Sequence, residues 1–456
     1  MKKYLYMLIA LVSPLFVSCS DDDNDAQSAP MTINKIYLED VNAKDSVFDR
    51  EVTFARLGQL LRIEGSGFTG LKKIYVNGFE TYFNNALMTD NNIWVTLNAK
   101  TPVDKADESV RNTIVLVKDA SQLVYDFIIR AAAPSITRLS NSLPMPGEKV
   151  VAYGANLQET TKVTLPGGVE VTSGIESDED GEWFSFTMPS GVTAAGTVTS
   201  EGANGTAVSP DYFNDSRSMI LNFDGMGTQG YWSWSETGSM INNEDLVSDP
   251  LGSGRGMVCQ IIPQRLIAAG GVAVKGRCTE VWTAGNDNAA DDWSNFYGVI
   301  PAATPMSDLA FQFDVYVPEP WEGTGQIQIT ANNNVSWNGY GSDEVKSSTT
   351  MTTVWVPWLN EDGTTTPYKT DGWQTITIPL TQFSKYANEV EDGQSPLFQE
   401  IVDDRNAASY KNFGMGFVNT DIKVGNVELP ASVCSQLIYI DNLRLVYNRT
   451  TEVSDY

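Results

Sequence analysis

Several stretches of this chain alternate apolar and polar residues with a period of two, the pattern that puts every second side chain on one face of an extended strand. The clearest are LAFQFDVYVP from Leu309, GQIQITAN from Gly325, WQTITIPL from Trp373 and QLIYIDNLRLVYN from Gln436. MILNFD from Met219, GMVCQIIPQ from Gly256 and NFGMGFVN from Asn412 read the same way. None is followed by a convincing amphipathic helix, so the C-terminal half predicts an antiparallel sandwich or jelly roll. Its roughly 240 residues are enough to bury a substantial core without cross-links.

Ahead of it the pattern repeats. GQLLRIEGSGFTGLKKIYVNG begins at Gly58 and GEKVVAYGANLQETTKVTLPG at Gly147, 89 positions later. At that offset Gly65 meets Gly154, Phe68 meets Leu157, Ile74 meets Val163 and Val76 meets Leu165, whereas Leu60 meets Lys149. Each copy reads as a strand, a tight turn whose glycine supplies positive φ, and a second strand. A third strand follows in each, IWVTLNA from Ile93 and EWFSFTMP from Glu182. Pro134, in AAAPSITRL, marks the boundary between the copies. Trp94 and Trp183 stand singly within strands and are expected in the two cores.

At the other end, Lys2 and Lys3 precede an apolar run from Tyr4 to Val17, with Ser18 before Cys19. The run is shorter than the roughly 20 residues a permanent spanning helix needs, which predicts a cleaved secretory signal. SDDD, Ser20 to Asp23, opens an acidic tether that runs through Pro30. The expected organisation is therefore a signal peptide over 1–18, a tether over 19–30, two small sandwiches over 31–132 and 133–213, and a larger one over 214–456. The fold class is all-β throughout.

Composition narrows the chemistry. The chain has no histidine, which removes Ser-His-Asp and Cys-His nucleophiles as normally built and every histidine metal site. A formal charge of −27 disfavours nucleic acid and anionic headgroups as partners. With Cys19 set aside, Cys259, Cys278 and Cys434 allow at most one internal disulfide. Nine of the eleven tryptophans fall beyond Asn214.

Several resemblances follow from these residues. Cys19 after the apolar run resembles the acceptor of the bacterial lipoprotein box, although Phe16 replaces the usual leucine, and SDDD resembles the export tag of Bacteroidetes surface lipoproteins. IEGSGF, IYVNG and their repeat counterparts resemble the IPT/TIG immunoglobulin-like module, in which family such modules serve as spacers. FDG near the start of the last domain and IYIDNLRLV at its end follow the strand grammar of jelly-roll carbohydrate-binding modules. VWVPWLNEDGTTTPYKTDGWQTITIPLTQF, Val354 to Phe383, resembles the C-terminal domain of the surface glycan-binding proteins of polysaccharide utilisation loci. That resemblance implies a lipid-anchored outer-membrane protein facing the exterior. It would capture a neutral, β-linked polysaccharide for a neighbouring outer-membrane importer and its surface lipoprotein.

The chemistry of such a site can be stated without the family. A pyranose ring offers an apolar C–H face to an aromatic ring and a rim of hydroxyls to short amides and carboxylates. ANNNVSWNGYGSDE places Trp337 and Tyr340 in a polar loop, and WTAGNDNAADDWSNFY places Trp282, Trp293 and Tyr297 among six Asn or Asp residues. YWSWSE puts Trp232 and Trp234 on one strand face, and Trp355 and Trp358 flank Pro357. The competing reading for each is packing, as a cross-strand pair or over the sandwich edge; Trp321 and Trp373 are assigned to packing. Asp224 and Asp441, near the two ends of the last domain, are a candidate pair for a structural calcium, against a reading as turn-forming aspartates. No other cofactor is expected. The rival functions are a surface glycoside hydrolase working through a carboxylate pair and a structural adhesin; no E-x-D-x-x-E arrangement on a strand supports the hydrolase.

Overall fold

The computed structural model describes residues 30–39, 49–230, 239–261, 277–284, 291–333 and 345–450. By contact the chain forms two compact units, one ending at Ala132 and one beginning at Ala133.

The first unit holds two four-stranded antiparallel sheets. One runs Asp49–Glu51, Thr32–Glu39, Leu60–Ser66, Asn92–Thr96; the other runs Phe79–Thr81, Lys73–Val76, Thr113–Val117, Gln122–Asp126. The alternation seen in the sequence sends Leu61, Ile63, Ile74, Val76, Ile93, Val95, Ile114 and Leu116 into the space between them. Trp94 departs from expectation. It lies opposite Arg62, on the outward half of the alternation, and its indole N–H donates to Glu39.

The second copy is built alike, with sheets Ser135–Leu139, Lys149–Ala155, Trp183–Thr187, Glu176–Ser177 and Val169–Val171, Thr160–Leu165, Thr199–Gly202, Gly205–Val208. Trp183 is likewise half-buried, outside that core, opposite Tyr153. The repeated glycines act in two ways. Gly58 and Gly147 adopt φ of +85° and +93°, where a side chain is strained. Gly65 and Gly154 do not; a Cβ on them would lie 1.9 Å from the Thr32 carbonyl oxygen and 1.8 Å from that of Ser135. Both sit beside a bulge in the strand they pair with, so the repeat preserves a close backbone approach.

The larger sandwich packs two antiparallel sheets. The first has the order Val247–Ser248, Met257–Ile261, Ile438–Tyr447, Leu309–Tyr316, Gln374–Pro379, with Met219–Leu221 also pairing to Ile438–Tyr447. The second has the order Arg277–Trp282, Gly414–Val418, Gln326–Thr330, Thr352–Trp355. Between them lie Phe311, Phe313, Val315, Ile440 and Leu445 from the first sheet, and Val281, Ile327, Ile329, Met415 and Phe417 from the second. Two helices, Ser384–Glu391 and Phe398–Ala407, follow the Gln374–Pro379 strand where none was expected. They bury Tyr386, Phe398, Ile401 and Val402 in the same core. Cys259 and Cys434 are both buried.

Strands Leu309–Tyr316 and Ile438–Tyr447 are buried on both faces. One face meets the sandwich core, while Ala310 and Val446 on the other join the core of the second immunoglobulin-like module.

Candidate functional site

The second sheet of the large sandwich divides its residues by chemistry. The half of the alternation facing away from the core carries Glu280 and Trp282, Gly414 and Gly416, Gln326, Gln328 and Thr330, and Thr352, which meet across the strands at Glu280↔Gly416↔Gln328 and Trp282↔Gly414↔Thr330↔Thr352. Glycines on the central strand leave room for their neighbours. A Cβ at Gly414 would stand 2.3 Å from the Trp282 ring, so Trp282 lies flat across that strand only because the position is glycine. Glu280 holds the ring by accepting from its indole N–H at 2.8 Å, and accepts from the Ser239 hydroxyl at 2.5 Å. Met240 and Val418 pack against Trp282 in a small cluster separate from the main core.

The end of this sheet at Trp282, Gly414, Thr330 and Thr352 is tightly clamped. Asn412 donates to the Thr283 carbonyl at 2.9 Å, and the Phe413 N–H donates to the Thr283 hydroxyl at 2.9 Å. Gly230 N–H donates to the Trp282 carbonyl at 2.7 Å, and Asn333 N–H to the Tyr410 carbonyl at 2.9 Å. Beneath, Arg405 is buried at 1% exposure, pairs with Asp291 at 3.0 Å and lies 4.1 Å over the Trp293 ring. Burial lifts the Asp291 carboxyl to about 6 against the pull of Arg405, and lowers the Arg405 guanidinium to about 10. An ion pair this enclosed braces the strand ends. Segments 231–238, 285–290 and 334–344 all join the chain at this one end, through Gly230, Ala284 and Asn333.

The expected site residues divide accordingly. Trp337, Tyr340, Trp232 and Trp234 fall in those segments, outside the described residues, as does Cys19 at the amino-terminal end. Trp282 and Trp293, each 2% exposed, are corrections: the first lies on Gly414, and the second is wedged between Arg405 and Phe413. Trp358 is a correction too, fully buried with its indole N–H donating to the Gly325 carbonyl at 3.0 Å. Trp355 is half-buried in an edge-to-face cluster with Phe313, Trp321 and Tyr368 at 5.4–5.7 Å. Tyr297, also half-buried, stands edge-on to Phe398 at 5.9 Å. For Trp282, Trp293 and Tyr297 the Asn- and Asp-bearing sequence around the aromatic hid a packed partner, Gly414, Arg405 and Phe398, more than 100 positions away in the chain.

Asp224 accepts from the Met257 N–H at 3.0 Å, and Asp441, 1% exposed, accepts from the Asn442 N–H at 2.8 Å. Among the described residues no three His, Cys, Asp or Glu side chains gather as a metal site.

One aromatic escaped the sequence reading. Tyr410 is 49% exposed on the clamped rim, tied by its own backbone to Asn333. It stands in SYKN, with no second aromatic or glycine beside it to attract notice.

Residues 213–447 match the family model described as the surface glycan-binding protein B xyloglucan binding domain. An IPT/TIG domain-containing protein of Bacteroides ovatus is 25% identical over 268 residues, 58% of this chain and 50% of that protein, so the chain spans about half the length of the curated relative it matches. The crystal structure of the surface glycan-binding protein PbSGBP-B from Prevotella bryantii covers 92% of this chain and 100% of its own, at 22% identity and a TM-score of 0.64. That likeness establishes the fold of tandem immunoglobulin-like modules and a terminal sandwich. An SGBP-B from a complex xyloglucan utilization locus in Bacteroides uniformis covers 92% and 100%, at 17% identity and a TM-score of 0.45.

Proposed function

Because this chain belongs to the family of the surface glycan-binding protein B xyloglucan binding domain, we propose that it captures a neutral β-linked polysaccharide, with xyloglucan the first candidate, and does so without cleaving it. The observation that carries the reading is the braced end of the Arg277–Trp282 sheet. Three segments, two of them bearing Trp232, Trp234, Trp337 and Tyr340, leave from it, and Tyr410 is exposed on its rim. A rigid support of this kind reduces the ordering cost on association. The neutral amides and hydroxyls of that sheet, Gln326, Gln328, Thr330 and Thr352, are themselves buried and form its support.

Anchored through acylated Cys19 and facing the exterior, the protein would hold a long glycan for an outer-membrane importer. A few rings buried against aromatics yield only a few kcal/mol after ordering costs, so micromolar to millimolar affinity at each site is expected, offset by many copies on one surface.

Native affinity electrophoresis of the full chain in gels containing xyloglucan, mixed-linkage β-glucan, laminarin, mannan, pectin or starch tests this. Retardation by one neutral glycan is expected, with no reducing sugar released. Trp337→Ala and Tyr340→Ala should abolish the shift. Mobility unchanged in every gel would sink capture, and sugar release would replace it with hydrolysis.

A further inference from the structure

We propose that the outward face of the second immunoglobulin-like module holds a site for a sugar carboxylate, with Arg138, Tyr153 and Trp183 as its residues and a uronic acid branch of a glycan as its ligand. The site lies outside the aromatic loops of the large sandwich and takes a different chemistry, so it does not depend on the capture reading.

The two modules set the same three residue types on the outward face of the same sheet. In the first, Tyr37, Arg62 and Trp94 form one row across adjacent strands. In the second the row is Arg138, Tyr153 and Trp183. Tryptophan keeps its strand, while tyrosine and arginine exchange places. In both rows the guanidinium lies over the tyrosine ring, at 4.1 Å for Arg62 and 3.6 Å for Arg138. An arginine held against a ring keeps its N–H edge available and has little side-chain freedom left to lose on binding.

What differs is the acid. The first module supplies its own: Glu39 accepts from the Trp94 indole N–H at 3.2 Å and pairs with Arg62 at 3.5 Å, so one carboxylate bridges the two side chains. Asp49 and Glu64 add further ion pairs to Arg62. The second module lacks this set. The offset that brings Trp94 onto Trp183 brings Glu64 onto Tyr153, and the strand that carries Asp49 has no counterpart beside Ser135–Leu139. Glu176, on the outer strand of the same sheet, is paired with Lys149 at 2.8 Å. Among the described residues Arg138, which is exposed, has no hydrogen-bond or ion-pair partner, and neither the Trp183 N–H nor the Tyr153 hydroxyl has one.

The demand that Glu39 meets in the first module is therefore open in the second, and a ligand carboxylate beside Arg138 and Trp183 meets it in the same way. The half-buried Trp183 ring gives a pyranose its apolar contact. Tyr368 of the adjoining sandwich borders the site closely enough for the Arg138 charge to oppose the burial that pushes its phenol up. A uronate joins the carboxylate to such a ring. Isolated on a branch of a neutral chain, it brings one charge for Arg138 without setting a run of anions against a protein of formal charge −27.

Indole N–H spectra of the full chain carrying isotopically labelled tryptophan test this, with Trp94→Phe and Trp183→Phe fixing the two assignments. Methyl glucuronide should shift the Trp183 signal at millimolar concentration and leave Trp94, already capped by Glu39, in place. Methyl glucoside should shift neither. Arg138→Ala, a change at an exposed position, should weaken the response about tenfold, and Arg138→Lys should recover only part of it. If the glucoside moves Trp183 as strongly as the glucuronide, or the glucuronide leaves it unmoved, the proposal fails. Sodium glutamate tests the other source of a carboxylate: a Trp183 shift equal to that from the glucuronide would assign the site to an acidic protein side chain and overturn the sugar.

Discussion

The two sheets of the large sandwich both turn a polar face away from their shared core, and the two faces are built from different chemistry. Behind Leu309–Tyr316 the polar residues centre on an ion cluster: Asp314 lies between Arg255 and Arg444, with Glu148 of the neighbouring module completing the set beside neutral Gln312 and Thr375. Behind Arg277–Trp282 they are mostly neutral, with Gln326, Gln328, Thr330 and Thr352 around a glycine-bearing central strand. Buried ions are committed to their partners, since removing one strands the other. Gln326, Gln328, Thr330 and Thr352 are buried as well, but being neutral they hold the sheet together without a charge that needs compensation. The first face is therefore read as a seal and the second as the support of a binding surface.

The largest expected effect breaks the seal by pH. Two arginines face three carboxyl groups, Asp314, Glu148 and Asp441, within this cluster. Burial opposes ionisation of Asp314, yet Arg444 and Arg255 hold it below the ordinary carboxylate range. Burial and the Asp314 charge instead push Asp441 up to about 8. The folded chain thus keeps a proton that an unfolded aspartate, titrating at about 3.9, has released. For this group stability is greatest below about pH 4 and falls as pH rises toward 8, by up to about 1.4 kcal/mol per unit. Thermal melts from pH 5 to 8 should show the decline, and Asp441→Asn should flatten it. The expected calcium at Asp224 and Asp441 is tested in the same series: a cation would take the place of the proton, and added calcium would then raise the melting temperature at pH 8 in the parent but not in Asp441→Asn.

Next in size is Arg444→Met, which leaves Asp314 with one arginine and Ser142 without its donor. A loss of about 3–5 kcal/mol is expected in denaturant melts. A change under 1 kcal/mol would mean the seal contributes little. On the other face, Gly414→Val forces Trp282 off the central strand. Overpacking should cost about 1–3 kcal/mol, and the glycan shift should disappear because the clamped end is displaced with it.

The difference between the faces also explains what the sequence disclosed. Strand alternation is a local property, so QIQIT and FQFDVY were readable as strands, and the two module repeats as sandwiches. Which polar half meets a partner is not local. Asp314 and Gln312 look like a solvated half of a strand until Ser142, some 170 positions earlier, is placed on them. Trp282 and Trp293 were expected among exposed loop aromatics for the same reason, because Gly414 and Arg405 lie more than 100 residues away in the chain. The two unexpected helices lack a strong apolar stripe, and the residues they bury are Tyr386, Phe398, Ile401 and Val402, too few for a period to show.

The smallest expected effect is the most discriminating, because it sets one residue from each face against the other. Tyr410 is exposed, so Tyr410→Ala should change stability by no more than about 0.5 kcal/mol. If its ring covers a sugar, the same change should weaken retardation about tenfold, equivalent to about 1.4 kcal/mol. Gln312→Leu should do the reverse. It strands the Ser142 and Thr377 hydroxyls that Gln312 now engages at 2.8 and 2.9 Å, costing about 1–2 kcal/mol in stability with glycan affinity unchanged. Should both variants move affinity and stability together, the faces would not be separable in function, and the seam with the second module would have to be counted as part of the binding site.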